Sequence, residues 1–166
     1  NIDLTKQISN DRNTREFDVV VSSGEQVTAG LLSMALNSQE IPSRSFMGWQ
    51  IPVLTDNTFS KANIAEIRID VLMQALNRNE IAVIPGFQGV TDENQITTLG
   101  RGGSDTSAVA IASALNAKRC DIYTDVDGIY TADPRMVPKA KKLDKISYEE
   151  MLEMASQGAK VLQTRS

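Results

Sequence analysis

Histidine is absent from this 166-residue sequence. Catalytic triads built on histidine and histidine-containing metal sites are therefore excluded. Cysteine occurs once, as Cys120, so no intrachain disulfide can form, and a reducing, cytoplasmic compartment is the expectation. Aromatic residues make up 5% of the chain, so any core must be built from aliphatic side chains and alanine. Positive charge is not in excess: the net charge is −4 and the pI near 4.9, which argues against a general nucleic-acid binder but leaves room for a local basic pocket. No apolar run approaches the ~20 residues of a membrane span, and no signal peptide is visible, so no membrane partner is expected. Walker A, H-R-D and D-F-G patterns are missing, as is a dinucleotide glycine fingerprint.

What is present is one unusual stretch, Thr97-Thr98-Leu99-Gly100-Arg101-Gly102-Gly103-Ser104-Asp105. It leads into a segment that reads as helical from Ser104 to Ala117. Free N–H groups and the positive end of a helix dipole make such a start an anion site. Glycine lets the backbone approach an oxyanion, and Arg101 offers a planar fork for carboxylate or phosphate. A tight strand-to-helix connection is the alternative reading of the glycines alone.

The remainder reads as alternating strands and helices in a single α/β domain, since apolar residues at 41% suffice for a core. Asn10 to Asn13 reads as a turn. Phe17 to Ser22, rich in β-branched residues, reads as a buried strand, followed by a turn and a helix bearing Val27, Leu31, Met34 and Ala35 on one face. Glu25 then falls on the first turn of that helix, where a carboxylate complements the dipole. Arg44 to Met47 and Pro52 to Leu54 read as extended, and Thr55 to Lys61 as a polar loop. The spacing of Ile69, Leu72, Met73 and Leu76 predicts a helix with a core stripe. Ile81 to Ile84 reads as a strand, and Phe87 to Asn94 as a loop or hairpin. Cys120 to Val126 reads as a strand opening into a long mixed loop, Lys139 to Lys145 as a solvated basic linker, and Ser147 to Glu150 as a capping box. The pattern implies a mainly parallel sheet covered on both faces.

Val21-Ser22-Ser23-Gly24-Glu25, Gly86-Phe87-Gln88-Gly89, Thr97 through Asp105, Tyr123 through Arg135, and Gly158-Ala159-Lys160-Val161-Leu162 resemble, in order, the motifs of the aspartate kinases of the amino-acid kinase superfamily. The resemblance implies a three-layer α/β/α sandwich around a mainly parallel sheet. It also implies transfer of the γ-phosphoryl group of Mg-ATP to the side-chain carboxylate of L-aspartate. Carried over by position, Glu25 would accept from the substrate ammonium, which replaces its reading as a dipole partner. Arg101, Gly102, Gly103 and Ser104 would hold a substrate carboxylate, and Asp105 would orient a catalytic lysine. Thr124, Asp125, Tyr130, Asp133, Arg135, Lys160 and Val161 would form the nucleotide side. Residues 1–96 are read as the substrate-side half and 97–166 as the nucleotide half. The resemblance implies ATP, Mg2+ and aspartate as ligands, no protein-held metal, and a homo-oligomer.

The sequence departs from the family pattern in two respects. The Lys-Phe-Gly-Gly-Thr-Ser motif of the family's opening strand has no counterpart here, and Lys6 lacks its context. Regulatory ACT-type domains have none either. The sequence is thus read as an internal piece of a kinase domain lacking its first strand, inactive by itself. Two other readings stay open: a sibling kinase acting on glutamate, acetylglutamate, a carbamate or a nucleoside monophosphate, and a catalytically silent nucleotide-binding or assembly fragment.

Overall fold

The computed structural model describes residues 2–9, 11, 14–124, 128–132, 137–147, 149–151 and 153. A short helix α1 (Ile2–Ile8) precedes α2 (Arg15–Ser38), the longest element. Two strands, β1 (Ser43–Ser45) and β4 (Ile81–Val83), pair in parallel. A second sheet has the order β3 (Ile64–Ile67), β2 (Val53–Thr55), β5 (Gln88–Val90), β6 (Ile96–Thr98). Its central pair β2–β5 is parallel, whereas β2–β3 and β5–β6 are antiparallel. Helix α2 packs on β1, β4 and β6, α3 (Asp70–Asn77) on β4, and α4 (Gly103–Ala114) on β3 and β5. The α/β class expected from the sequence is what forms, with parallel pairing at β1–β4 and β2–β5; β3 was not anticipated.

The main correction lies in α2. Phe17 to Ser22, expected as a strand, and the turn expected after it are continuous helix. Thr14 starts the helix from extended backbone, its hydroxyl accepting from Phe17 N at 3.2 Å. Glu16 and Asp18 occupy the first turn, where acids suit the dipole. Tertiary docking then overrides the β-propensity of Val19-Val20-Val21. The buried face of α2 carries Asp18, Val21, Ser22, Ala29 and Ser33, small or hydrogen-bonding residues that allow close approach to strands. The apolar stripe Val27, Leu31 and Met34 has helical spacing as expected, but it points away from the sheets and is more than half exposed. Among the described residues α2 is the one helix long and apolar enough to cross a membrane, which the sequence reading had not anticipated. Its docked polar face marks it as a helix of this α/β domain.

Three other differences are smaller. In α3 the buried residues are Leu72 and Ala75, whereas Met73 and Leu76 are about 40% exposed. Residues 120–124 are not in a strand, and Asp125 and Val126 lie outside the described residues. The helix after the glycine loop ends at Ala114. The capping box, in contrast, forms as read: Ser147 N donates to Glu150 Oε2 at 2.9 Å and Glu150 N to Ser147 Oγ at 3.2 Å. Hydrogen bonding from Ser147, its backbone N–H first and then its side chain, holds the Glu150 carboxyl below its ordinary range.

The core is Phe46, Ile51, Val53, Leu72 and Ala75, closed by Ile111 and Leu115 from the end of α4. The hairpin β5–β6 pairs Gln88 with Thr98 and Val90 with Ile96, so it delivers the glycine loop from its own end. The loop from Asp56 to Asn63 is tied by Asp56, which accepts from Thr58 N at 3.1 Å and Asn63 Nδ2 at 2.8 Å. The Asn63 amide first, then the backbone N–H groups, hold the Asp56 carboxyl below its usual 3.8. A carboxylate depressed in the folded state stabilises above its unfolded value, so this tie is lost as pH falls through the lowered one.

Two glycines in this frame should respond oppositely to a methyl group. A Cβ at Gly89 would stand 2.5 Å from Val53 O and 2.6 Å from Thr55 Cγ2, both in a packed strand. Gly89→Ala should cost about 1–3 kcal/mol. At Gly30, in the interior of α2, nothing lies within 4 Å of the added carbon. Gly30→Ala should stabilise by about 0.5–1 kcal/mol through helix propensity. Denaturant midpoints moving down for the first and up for the second will check both packing assignments.

Candidate active site

A cavity of about 640 Å³ opens between the middle of α2 and the start of α4. Val21, Gly24 and Glu25 line it from the helix, Phe87 from the strand end, and Gly100 through Asp105 from the loop. The sequence reading gives Glu25 and Arg101 to Ser104 to the substrate and Asp105 to the orientation of a lysine, and all six residues line one cavity. Glu25 reaches it from mid-helix rather than from a first turn, so its role as a dipole partner falls away.

The glycine loop owes its shape to backbone conformations that favour glycine. Gly100 and Gly102 have φ of 77° and 71°. Gly102 is the residue before α4 and supplies no side-chain cap. Gly103 N donates back to Gly100 O at 3.1 Å, while Thr106 N donates to Gly102 O at 3.0 Å. The first turn of α4 therefore faces the cavity without a capping side chain, which leaves amide donors for an anion. A Cβ at Gly103 would meet Phe87 Cδ2 at 2.9 Å and Leu99 Cβ at 3.0 Å, so this position has no room for a side chain.

Phe87 has a φ of 70°, a strained value for a bulky residue. It is clamped on both sides: its N–H donates to Ser107 Oγ at 3.0 Å and its carbonyl accepts from Leu99 N at 2.9 Å. The Phe87 N–H bond ties α4 to the strand end, and Ser107 in turn donates within the helix to Gly103 O at 2.8 Å.

Charge in the cavity is arranged by opposition. Arg101 is exposed, and among the described residues none of the ion pairs involves it. Glu25 Oε2 is buried and has no hydrogen-bond partner. A buried carboxylate oxygen without a donor is costly unless a ligand supplies one. An ammonium group fits that need, and a carboxylate fits the guanidinium and the amides opposite. The donor set suits a zwitterion with a further anionic group.

The nucleotide-side residues stand apart from this cavity. Thr124 is exposed and Tyr130 forms a bridge with Lys142; neither lines the cavity. Asp125, Asp133, Arg135, Lys160 and Val161 lie outside the described residues. Lysines 139, 141, 142 and 145 are exposed, as a solvated linker requires.

Two polar residues were given no role from sequence. Asp18 is fully buried, and Gln88 is 2% exposed. A signal existed: Asp18, Ser22 and Gln26 recur every four residues, a polar stripe on a helix that vanishes when the segment is taken as a strand.

Residues 2–166 match the amino acid kinase family model, and the chain belongs to that family. Within it the chain is similar to aspartate kinases. It is 57% identical to an aspartokinase of Rickettsia felis over 151 residues, covering 91% of this chain and 38% of that protein. It is 55% identical to an aspartate kinase of Pseudomonas putida over 165 residues, covering 99% and 40%. Among solved structures, E. coli aspartokinase III in complex with aspartate and ADP superposes with a TM-score of 0.84 at 38% identity. That match covers 91% of this chain and 34% of the other. The chain thus spans about two fifths of the length of the curated relatives it matches.

The orphaned oxygen makes a stability prediction separable from activity. Glu25→Met should raise stability by about 1 kcal/mol, because it removes an unpartnered buried acceptor. Arg101→Ala, at an exposed position, should stay within about 0.5 kcal/mol of the parent. Thermal unfolding without ligand measures both.

Proposed function

We propose that the protein transfers the γ-phosphoryl group of Mg-ATP to the side-chain carboxylate of L-aspartate. The observation that carries this reading is the pairing, in one cavity, of an unpartnered Glu25 oxygen with the Arg101 to Ser104 loop. The similarity to aspartate kinases supports it. Glu25 would accept from the substrate ammonium, and Arg101 would hold a carboxylate as a charge-assisted pair, with Gly102, Gly103 and Ser104 adding donors.

The chemistry asks little of the protein beyond placement. A carboxylate oxygen is ionised at neutral pH, so it attacks the γ-phosphorus without a general base, and the lack of histidine is no obstacle. A bond forms from that oxygen to phosphorus, the bond from phosphorus to the bridging oxygen breaks, and 4-phospho-L-aspartate and ADP result. Catalysis is then positioning and charge neutralisation. Asp105, at the first turn of α4, would hold a lysine ammonium directed at the phosphates; no lysine is among the described residues lining the cavity. Mg2+ would arrive with the triphosphate, and no group of three or more acidic or cysteine side chains is gathered among the described residues.

In this reading residues 1–96 supply the substrate side and 97–166 the loop and nucleotide side. Thr124, Asp125, Tyr130, Asp133, Arg135, Lys160 and Val161 would carry the nucleotide contacts, in a homo-oligomer of cytoplasmic setting that draws on ATP and free aspartate. The test is coupled ADP release by the intact protein across a panel of aspartate, glutamate and N-acetylglutamate. Turnover should depend on aspartate, and Arg101→Ala or Glu25→Ala should each lower kcat/KM for it by about 30-fold or more. Preference for glutamate, or unchanged turnover in both variants, would refute the assignment.

A further inference from the structure

Asp18 does not line the cavity, yet it is where the two sides of the cavity are joined. Its carboxylate is fully buried and takes four hydrogen bonds. Oδ2 accepts from Ser60 N and Thr98 N, both at 2.8 Å. Oδ1 accepts from the Ser60 hydroxyl at 3.0 Å and the Thr98 hydroxyl at 2.8 Å. One oxygen therefore serves two backbone donors and the other serves two hydroxyls.

The partners sit at informative places. Thr98 ends β6 and is three residues before Arg101. Ser60 belongs to the loop tied by Asp56 and has a φ of 65°, which the Asp18 contacts help to hold. Four and eight residues further along α2, on the same face, stand Ser22 and Gln26. Gln88 in β5 donates to Ser22 O at 3.3 Å and accepts from Gln26 Nε2 at 2.9 Å. The polar stripe thus keys α2 to both strands of the hairpin that carries the glycine loop. Glu25 rides on the keyed helix, and Arg101 rides on the keyed strand.

We propose that Asp18 is a positioning residue for the acceptor-substrate site, fixing the separation of Glu25 from the Arg101 loop through its bonds to Thr98 and Ser60. The proposal rests on the aspartate reading above. Its mark is selectivity: the acceptor amino acid, held at both ends by these two groups, should feel a loosened joint more than ATP does. The geometry also says which chemistry Asp18 must supply. An asparagine in the same rotamer can aim its oxygen at the two N–H groups. Its NH2 then donates to the two hydroxyls, which rotate to accept. Shape and donors matter here, and the negative charge does not.

The experiment is steady-state kinetics of the intact protein with Asp18→Ala, Asp18→Asn and Thr98→Val, varying aspartate and ATP separately. Asp18→Ala should raise KM for aspartate about tenfold or more while KM for ATP stays within about threefold, since small misplacements of a clamp are costly. Asp18→Asn should restore KM for aspartate to within about threefold of the parent. Thr98→Val keeps the backbone donor and loses the hydroxyl, so it should show a smaller rise and serves if Asp18→Ala does not fold. A fall in Vmax with KM for aspartate unchanged, in Asp18→Ala or in Thr98→Val, would mean a purely structural role and overturn the proposal. So would an Asp18→Asn variant as impaired as Asp18→Ala, which would make the charge itself the requirement. A parent protein with no aspartate-dependent turnover would instead overturn the underlying reading, and the proposal with it.

Discussion

The arrangement depends on a buried carboxylate that is fully satisfied. Taking a polar group out of water is costly, and the cost is offset only when hydrogen-bond partners surround it. Asp18 has four, from two segments distant in sequence, Ser60 and Thr98. None of the four can be lost without leaving a buried group short of a partner, so the constraint is mutual. The helix cannot slide on the hairpin, the loop at Ser60 cannot relax its positive φ, and the strand end at Thr98 cannot turn. Apolar contact alone would allow such motion, because it is not directional.

From that fixed point the cavity follows in short steps. Thr98 leads through Leu99 to the glycine loop, and Leu99 N holds the carbonyl of Phe87. Phe87 in turn is pinned to Ser107, and Ser107 to Gly103. The loop is therefore stitched at Thr98, Leu99 and Gly103, while Gly100 and Gly102 supply the left-handed turns between the stitches. Arg101 is the residue left free of these stitches, at the top of a loop that is otherwise immobilised. Rigid backbone beneath a reaching side chain is what a carboxylate clamp requires.

How much of this was legible before the structure depends on the kind of signal. The loop from Thr97 to Asp105 could be read because its glycines and arginine have few uses other than a tight turn or an anion site. Glu25 was assigned to the same site through motif resemblance, even though its local structure was misread. The misreading has a physical cause. Val19, Val20 and Val21 favour strands locally, whereas the residues that decide the matter, Asp18, Ser22 and Gln26, act through partners 42 to 80 positions away. A single-sequence reading sees the valines and not the partners. β3 escaped for a similar reason: Ile64 to Ile67 is short and half-exposed, and it is a strand because Val53 to Thr55 lies alongside it. The local capping box at Ser147, whose partners are three residues apart, was read correctly.

Three features that work against stability meet at the cavity. Glu25 holds a buried oxygen without a donor, Phe87 sits at positive φ, and α4 starts without a side-chain cap. Each feature works against stability, and each has an alternative that a sequence selected for stability alone would prefer. They occur together around the 640 Å³ cavity, on elements that the hydrogen bonds of Asp18 and Gln88 join. The orphan acceptor and the uncapped amides each lack a partner that a bound zwitterion would provide. In the positioning role proposed for Asp18, its bonds to Thr98 and Ser60 hold the helix that carries Glu25 at a fixed place against the strand that leads to Arg101.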